Sequence, residues 1–311
     1  MKINELYSFK GLYRDDFRVQ GYEFGEGEKT VCIVGSLRGN EYQQIYVCSQ
    51  IIARLKEIEE RGGIKRGMSI MVIPCANPYS VNIKKRFWSI DNTDINRLFP
   101  GYDKGETTQR VAAGIFECIK DYKYGIQFAS FYMPGYFVPH VRMMKTGNEN
   151  VELARKFGLP FVVLHRPRPF DTATLNYNWQ IWNTEAFSIY TSSTEKIETV
   201  SARQGVNAVL RFLSKEGIID NKNSVGDNSR VIESSNFINI RASKAGFLSP
   251  LLRAGEKVLQ GEILANVTNP YTSEILQTVK APCDGIIAFS YDSPLAYQNT
   301  ALFKIIPDKN M

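Results

Sequence analysis

The amino-acid sequence predicts an α/β protein with a mostly parallel β-sheet flanked by helices, followed by a smaller all-β module. Short apolar runs alternate with amphipathic helical patterns as far as residue 222, which is typical of a parallel sheet covered on both faces. After residue 230 no helical pattern returns, and short apolar runs are separated by glycine and proline. The polar segment 221–229 between them indicates a linker. We therefore predict domains over residues 1–222 and 230–311, a division that 311 residues can accommodate.

The individual elements follow from periodicity and from their boundaries. Apolar runs of strand length, bounded by turn residues, occur at 30–35, 68–74, 125–131, 160–165 and 186–191. Apolar residues at helical spacing predict helices over 41–61, 107–122 and 198–217. Gly62 and Gly217 stand where the first and last of these helices should end.

The bulk composition excludes several classes of protein. The formal charge is +6 and basic residues form no long block, so we expect no nucleic-acid partner. No run of about 18 apolar residues is present, and the N-terminus lacks the apolar core of a signal peptide, so we expect a cytoplasmic protein with no membrane partner. The five cysteines are scattered, mostly within apolar segments, which predicts reduced, buried thiols.

Two segments contain a specific combination of residues. The first, 35–41, reads Gly-Ser-Leu-Arg-Gly-Asn-Glu at a strand-to-helix junction. The second begins with Asn77-Pro78 and continues over 86–101 with Asp-Ile-Asn-Arg-Leu-Phe-Pro-Gly at its end. Together they resemble the succinylglutamate desuccinylase/aspartoacylase family of the zinc carboxypeptidase superfamily. The resemblance covers nearly the whole chain and implies a carboxypeptidase-like sheet.

The resemblance implies a zinc-dependent amidase. In the family, a His and a Glu from a G-x-H-G-x-E segment and a second His from a D-L-H segment hold the metal, and a fourth position is left for water. A Glu near the end of the last main strand takes the proton of that water. An Arg and an Asn-Arg pair bind a substrate carboxylate, which suits the planar guanidinium group.

This chain departs from the family pattern at the metal. Arg38 stands at the first His, Ala129 at the second His and Tyr190 at the general-base Glu, whereas Glu41 is retained. Zinc requires ligands from His, Cys or carboxylate, and neither Arg nor Ala supplies one. We therefore predict that the zinc chemistry is lost and that Arg38 pairs with Glu41, three residues away.

A rebuilt metal site is the alternative. The chain has two histidines, His140 and His165, and a site of Glu41 with His140 is conceivable. Nothing in the spacing requires it. The favoured interpretation gives both histidines ordinary roles, as a hydrogen-bonded loop residue and a strand-end residue.

The substrate clamp of the family is matched by Arg86, Asn96 and Arg97. Its presence fits retained binding of a carboxylate, and it also fits a purely structural loop. Asp94 is expected to bond to its own loop. The aromatic stretch 132–137 either lines the pocket or contacts a partner subunit.

The C-terminal module resembles the lipoyl/biotinyl-like barrel found in one branch of the family. Its G-x-x-V-x-x-G-x-x-L pattern, at 255–264, predicts paired strands around glycine turns. A carrier domain would present a modified lysine between its two halves, but residues 265–279 contain none. We therefore expect a structural cap or an assembly module.

Two functions follow. The first is a zinc-free protein without amidase activity or cofactor. It keeps a pocket for a small carboxylate-bearing ligand and acts as a binding or regulatory subunit, beside an intact paralogue or through self-association. The alternative is an active amide hydrolase for N-acyl amino acids or similar substrates, with zinc in a rewired site. A purely structural role is a third interpretation. Whether the chain is an enzyme is left open by the sequence.

Overall fold

A computed structural model describes residues 1–222 and 225–308. The strands are β1 (Lys2–Phe9), β2 (Phe17–Gly25), β3 (Gly27–Ser36), β4 (Gly67–Cys75), β5 (Tyr124–Ala129), β6 (Gly135–Phe137), β7 (His140–Met144), β8 (Phe161–His165), β9 (Glu185–Tyr190), β10 (Arg230–Glu233), β11 (Ile238–Arg241), β12 (Gly246–Pro250), β13 (Lys257–Val258), β14 (Ile263–Thr268), β15 (Ile275–Lys280), β16 (Gly285–Tyr291), β17 (Leu295–Ala296) and β18 (Ala301–Pro307). The helices are α1 (Tyr42–Glu60), α2 (Pro78–Asn82), α3 (Thr107–Ile119), α4 (Val151–Arg155), α5 (Leu175–Ile181) and α6 (Thr199–Lys215), with short 3₁₀ turns at Ile95–Arg97, Pro169–Asp171 and Ser234–Asn236.

The predicted strands and helices are present within a few residues of their expected bounds. Helix α1 ends before Gly62, whose φ of 72° is readily adopted only without a Cβ, and Gly217 follows α6 with φ 68°. No helix of the described residues is both long enough and apolar enough to cross a membrane. All five cysteines lie among the described residues and are free thiols; Cys32 and Cys48 are buried as predicted, whereas the other three are only partly buried.

In the described part of the chain, nine strands form the main sheet, in the order β1-β2-β4-β3-β5-β9-β7-β8-β10. Its centre, β4-β3-β5-β9, is parallel, as predicted. The flanks add antiparallel pairs: β1 with β2, β2 with β4, and β7 with β9. The hairpin of β1 and β2 was missed by the sequence analysis, because its burial alternates only weakly in β1.

Helices cover both faces of this sheet. Helices α1 and α6 pack on one face, where they bury an apolar cluster with alternate residues of the central strands. Helices α3 and α5 contribute to a second apolar cluster with the remaining alternate residues. On that second face the carboxyl ends of β5 and β9 become polar, with Gln127 and Ser188 buried there. The carboxyl edge is therefore where functional side chains collect, as is usual for parallel strands.

The described residues of a second compact unit form β-strands and a 3₁₀ turn but no α-helix, as predicted. It contains a five-stranded sheet (β11-β18-β16-β13, with β6 on β16) and a four-stranded sheet (β15-β14-β12-β17) around its own apolar cluster. Whether these sheets form a lipoyl/biotinyl-like barrel stays a prediction. Of the predicted linker, residues 223 and 224 lie outside the described residues, and the rest forms no helix or strand.

The segment Phe131–Pro139 belongs to this second unit, although residues on both sides of it belong to the first. Its strand β6 pairs antiparallel with β16, with Phe137 opposite Phe289. The Phe131 and Phe137 rings stack with centroids 3.7 Å apart. The first unit therefore comprises Met1–Ser130 and His140–Val231, a discontinuity that the domain prediction did not include.

Candidate functional site

The junction between β3 and α1 is organised by Glu41, which is 1% exposed. Its Oε2 accepts hydrogen bonds from the backbone N–H groups of Leu37 (2.9 Å) and Arg38 (3.0 Å). Its Oε1 accepts from Ser130 Oγ, at the end of β5, and from Arg38 Nη1 at 3.1 Å. Four donors therefore hold this carboxylate in one position.

Gly39 allows the loop between β3 and α1 to lie in close contact with the backbone of Lys85. A Cβ at Gly39 would lie 2.3 Å from the Lys85 carbonyl oxygen, so only glycine fits without backbone movement. The Gly39 N–H donates to the Arg86 carbonyl at 3.2 Å. The segments 35–41 and 86–101 therefore contact each other through backbone atoms as well as through side chains.

The Arg38 guanidinium lies between two carboxylates and is 5% exposed. Besides its bond to Glu41, it donates from Nε to both oxygens of Asp94 (3.0 and 3.1 Å) and from Nη2 to Asp94 Oδ2 (2.9 Å). Burial by itself lowers the pKa of Arg38, but attraction by Glu41 and Asp94 outweighs it and raises the pKa above its ordinary value. The predicted pair of Arg38 and Glu41 is present, and this cation is fully charged.

Asp94 has two roles, of which the sequence analysis foresaw one. Its Oδ1 accepts from the Asn96 N–H at 3.1 Å, which is the expected bond within its own loop. The ion pair with Arg38, 56 residues away in sequence, was missed. No local signal could have shown it, because sequence spacing predicts only contacts along one element.

Asn96 and Arg97 both bond to other parts of the protein. Asn96 Oδ1 accepts from the Leu175 N–H at 3.0 Å, at the start of α5. Arg97 Nη1 donates to the Phe170 carbonyl (2.9 Å) and to Asp171 Oδ1 (3.1 Å). These contacts hold the loop in place, as expected if Asn96 and Arg97 have a structural role. A role of either residue in ligand binding stays a prediction.

Asp171 is the centre of the network that holds Arg97. His165 Nε2 lies 3.1 Å from Asp171 Oδ2, and the Arg168 N–H donates to the same oxygen at 3.0 Å. Burial raises the pKa of Asp171, but the hydrogen bonds from His165, Arg168 and Arg97 outweigh it and hold the pKa well below its ordinary value. The carboxylate is therefore ionised at neutral pH.

Arg86 lies beside the Arg38 cluster and is partly buried. Burial lowers the pKa of Arg86 most, and the positive charge of Arg38 lowers it further, whereas Glu41 and Asp94 oppose both effects. The charges of the two guanidinium groups therefore act on each other, and Glu41 and Asp94 balance them. Binding of a carboxylate by Arg86 stays a prediction.

Ala129, Tyr190 and His140 are neighbours on adjacent strands. Ala129 of β5 and His140 of β7 both stand in register with Tyr190 of β9. The His140 and Tyr190 rings stack with centroids 4.8 Å apart and 2° between their planes. The alignment of Ala129 and Tyr190 to the family positions stays a prediction. The described residues contain no group of three or more His, Cys, Asp or Glu residues that could hold a metal ion.

Two residues near the site were missed by the sequence analysis. Ser130, which bonds to Glu41, follows Ala129 directly. Arg142 Nη1 donates to the Tyr190 hydroxyl at 3.3 Å. The only available signal for Arg142 was its position two residues after His140, on the same side of one strand.

Comparison with known proteins agrees with this architecture. Residues 27–213 match the family model of the succinylglutamate desuccinylase/aspartoacylase catalytic domain. The match covers more than half of the chain and includes every site residue described above, so the chain belongs to this family.

Individual relatives share low sequence identity with this chain. The N-alpha-acetyl-L-2,4-diaminobutyric acid deacetylase of Halomonas elongata is 22% identical over 286 residues, covering 85% of this chain and 78% of that protein. A succinylglutamate desuccinylase/aspartoacylase family protein from Shewanella amazonensis has a TM-score of 0.79 at 17% identity, covering 99% of both chains. The product-bound ectoine utilization protein EutE (DoeB) of Ruegeria pomeroyi has a TM-score of 0.77 at 15% identity, covering 94% of this chain and 89% of that one. These structures show the shared fold.

Replacing Arg38 by Met should destabilise the protein strongly. The change leaves Glu41 and Asp94 without their shared cation, so we expect a loss of about 3–5 kcal/mol in the free energy of unfolding. Urea denaturation measures it. The control is Arg54→Met, which removes an exposed ion pair with Glu57 and should lower the free energy of unfolding by at most about 1 kcal/mol. Equal losses in the two variants would contradict the central role of Arg38.

Asp171 should make stability depend on acid. Its pKa is lowered on folding from an ordinary value of about 3.9, so its charge stabilises the folded chain above about pH 4, and this contribution is lost as the pH falls further. At pH 6.5, Asp171→Asn should unfold with about 2–3 kcal/mol less free energy than the wild type. At pH 3.5 we expect a smaller gap, whereas the exposed control Asp103→Asn should show almost none at either pH. A gap for Asp171→Asn that stays constant with pH would contradict this account.

Proposed function

We propose that this protein binds an N-acyl amino acid, or a related amide with a carboxylate, and neither holds zinc nor hydrolyses the ligand. The observation behind the proposal is the position of the Arg38 guanidinium, bonded to both Glu41 and Asp94. By its resemblance to the family, Arg38 stands where a zinc ligand would be. A permanent cation there repels a dication instead of binding it.

The residues at this position do not fit zinc. A carboxylate has about four lone-pair sites, and Glu41 already accepts from Leu37, Arg38 (twice) and Ser130. No lone pair of Glu41 is left for a metal unless one of these bonds breaks. Ala129 offers no donor atom at all.

Proton transfer is equally poorly supported at the general-base position. Tyr190 has a phenol there, and its oxygen accepts a hydrogen bond from Arg142. A neutral hydroxyl that already accepts from a guanidinium is a much weaker proton acceptor than a carboxylate. This favours binding without turnover.

Carboxylate recognition is supported by Arg86. Its partly buried guanidinium adjoins the Arg38 cluster, and the backbone bond between Gly39 and Arg86 holds the two loops together. The deacetylase from Halomonas elongata is named for an acetylated amino acid, which has both an amide and a carboxylate. As part of the same proposal, the protein acts as a binding or regulatory subunit, with an intact paralogue or a second copy of itself as partner.

A second candidate function is amide hydrolysis. Membership of a family of desuccinylases and aspartoacylases, together with the deacetylase relative, favours this function over binding alone. It would require a new set of metal ligands around Glu41 and His140, or a mechanism without metal in which Ser130 and Tyr190 take part. The bonds now made by Glu41 are the argument against the first of these routes.

Calorimetric titration and an amine-release assay separate the two functions. We expect N-acetyl-L-glutamate or N-alpha-acetyl-L-2,4-diaminobutyric acid to bind the wild type without release of free amine. Arg86→Gln should weaken binding at least about tenfold, because a hydrogen bond to a charged group contributes about 1.5–3 kcal/mol.

The matched control is Arg66→Gln, which makes the same charge change at an exposed position. It should leave the affinity unchanged. Catalytic release of amine by the wild type would establish the second candidate and contradict the first, as would added zinc that makes release appear. A wild type that binds neither compound would contradict the proposed ligand class.

A further inference from the structure

Asn176, near the start of α5, is a buried amide whose hydrogen bonds are missing. The residue is 2% exposed, and neither its Oδ1 nor its Nδ2 has a hydrogen-bond partner among the described residues. Because both atoms lack partners, exchanging the oxygen and nitrogen assignments would not change this. A buried polar group of this kind normally has a partner, which can be a ligand.

Arg142, on β7, is a second side chain with a buried polar atom that makes no hydrogen bond. It is partly buried, its Nη1 donates to the Tyr190 hydroxyl at 3.3 Å, and its Nε is buried without a hydrogen-bond partner. No Asp or Glu of the described residues forms an ion pair with it. The Nε of this guanidinium is therefore withdrawn from water without a hydrogen bond, which is unfavourable, and an anionic ligand would supply an acceptor and a counter-charge.

Both side chains lie on the same face of the sheet. Arg142 alternates along β7 with Val141 and Met143, which belong to the apolar cluster under α1 and α6, so Arg142 points to the opposite side. That side is covered by α5, whose Leu175 and Trp179 belong to the second cluster.

They also lie at the same height along the sheet. Helix α5 leads directly into β9 and so runs antiparallel to it, which makes α5 parallel to β7. Gln180 Nε2 donates to the Met144 carbonyl at 3.1 Å. Along α5, Asn176 lies one helical turn, about 5–6 Å, before Gln180. Along β7, Arg142 lies two residues, about 6.6 Å, before Met144. Asn176 and Arg142 are therefore at the same level. Ser188, buried and in register with Arg142, completes the polar group.

The donors and acceptors of Asn176 and Arg142 determine which ligand groups could bind to them. An asparagine amide offers one acceptor and two donor hydrogens, and a guanidinium offers only donors to an anion. A ligand that satisfies both presents a carboxylate next to an N–H. The amide and α-carboxylate of an N-acyl amino acid have this arrangement.

We propose that Arg142 and Asn176 form a ligand subsite in which Arg142 binds the carboxylate and Asn176 pairs with the adjacent amide. The inference rests on the proposed function and adds Arg142, in place of Arg97, to Arg86 as a carboxylate contact. The two carboxylates of N-acetyl-L-glutamate provide one for each of these guanidinium groups. Arg97 is already held by Asp171 and the Phe170 carbonyl, whereas Arg142 has no acidic partner among the described residues.

Two variants separate a binding role from a structural one. Arg142→Gln removes a guanidinium with a long hydrogen bond to the Tyr190 hydroxyl and a buried Nε without a partner, so we expect an almost unchanged Tm. Asn176→Leu removes a buried amide without partners, so we expect a rise in Tm of about 2 °C. Calorimetric affinity for N-acetyl-L-glutamate should fall at least about tenfold in each. Arg142→Lys keeps the positive charge but loses the planar guanidinium that can form two parallel hydrogen bonds with a carboxylate, so it should bind with intermediate affinity.

Controls and probes make the outcome specific. Arg155→Gln removes another arginine whose buried Nε makes no hydrogen bond, but this Nε lies 3.6 Å from Glu152 Oε1 in an ion pair, so the change should leave binding unchanged. Glutarate, a dicarboxylate without an N–H, should lose affinity in Arg142→Gln but not in Asn176→Leu. Inorganic phosphate should bind more weakly than N-acetyl-L-glutamate.

Contrary results are equally clear. A wild type that binds N-acetyl-L-glutamate with an affinity that Arg142→Gln leaves unchanged would overturn the subsite while the proposed function stands. A lower Tm in both variants with unaltered affinity would show a structural role. A wild type that binds none of the probes would contradict the proposed function and the subsite together.

Discussion

The ion pairs of Arg38 hold the candidate site together. The guanidinium connects the loop after β3, through Glu41, to the loop that contains Asp94. Glu41 in turn reaches the end of β5 through Ser130. A buried cation with two carboxylates is stable only as a set, because removing one member leaves uncompensated charge. The geometry of this edge of the sheet therefore depends on one residue that the family resemblance places at a metal-ligand position.

The same residues explain how family membership and local chemistry point in different directions. The family model describes a catalytic domain, and the relative from Halomonas elongata is named as a deacetylase. Fold and sequence family follow from the whole chain, whereas zinc binding depends on three side chains with free lone pairs. In this chain Glu41 is fully hydrogen-bonded and Ala129 has no donor atom. The proposal of a zinc-free binding protein follows from those side chains.

Much of the architecture could be predicted from the sequence because it depends on local patterns. Helices α1, α3 and α6 and the central strands show clear periodicity, and the spacing of Arg38 and Glu41 predicted their ion pair. Contacts between distant segments could not be predicted. The pairing of β6 with β16 and the bond from Leu175 to Asn96 join residues far apart in sequence.

Contacts between residues far apart in sequence changed the interpretation of the site most. Asn96 and Arg97 match the family clamp in sequence, yet Asn96 accepts a hydrogen bond from the start of α5 and Arg97 donates to Asp171. Arg142 and Asn176 belong to no motif, and only the packing of α5 on β7 shows that they share one level of the sheet. Burial without a partner is a property of the folded chain, so sequence patterns do not reveal it.

The most direct test of the central claim is the zinc content of the purified protein after dialysis against excess zinc, with Glu41→Ala as the reference. We predict no more bound zinc in the wild type than in Glu41→Ala, because Arg38 and the other donors already occupy that carboxylate. One tightly bound zinc per wild-type chain, lost in Glu41→Ala, would contradict the account and make amide hydrolysis the favoured function.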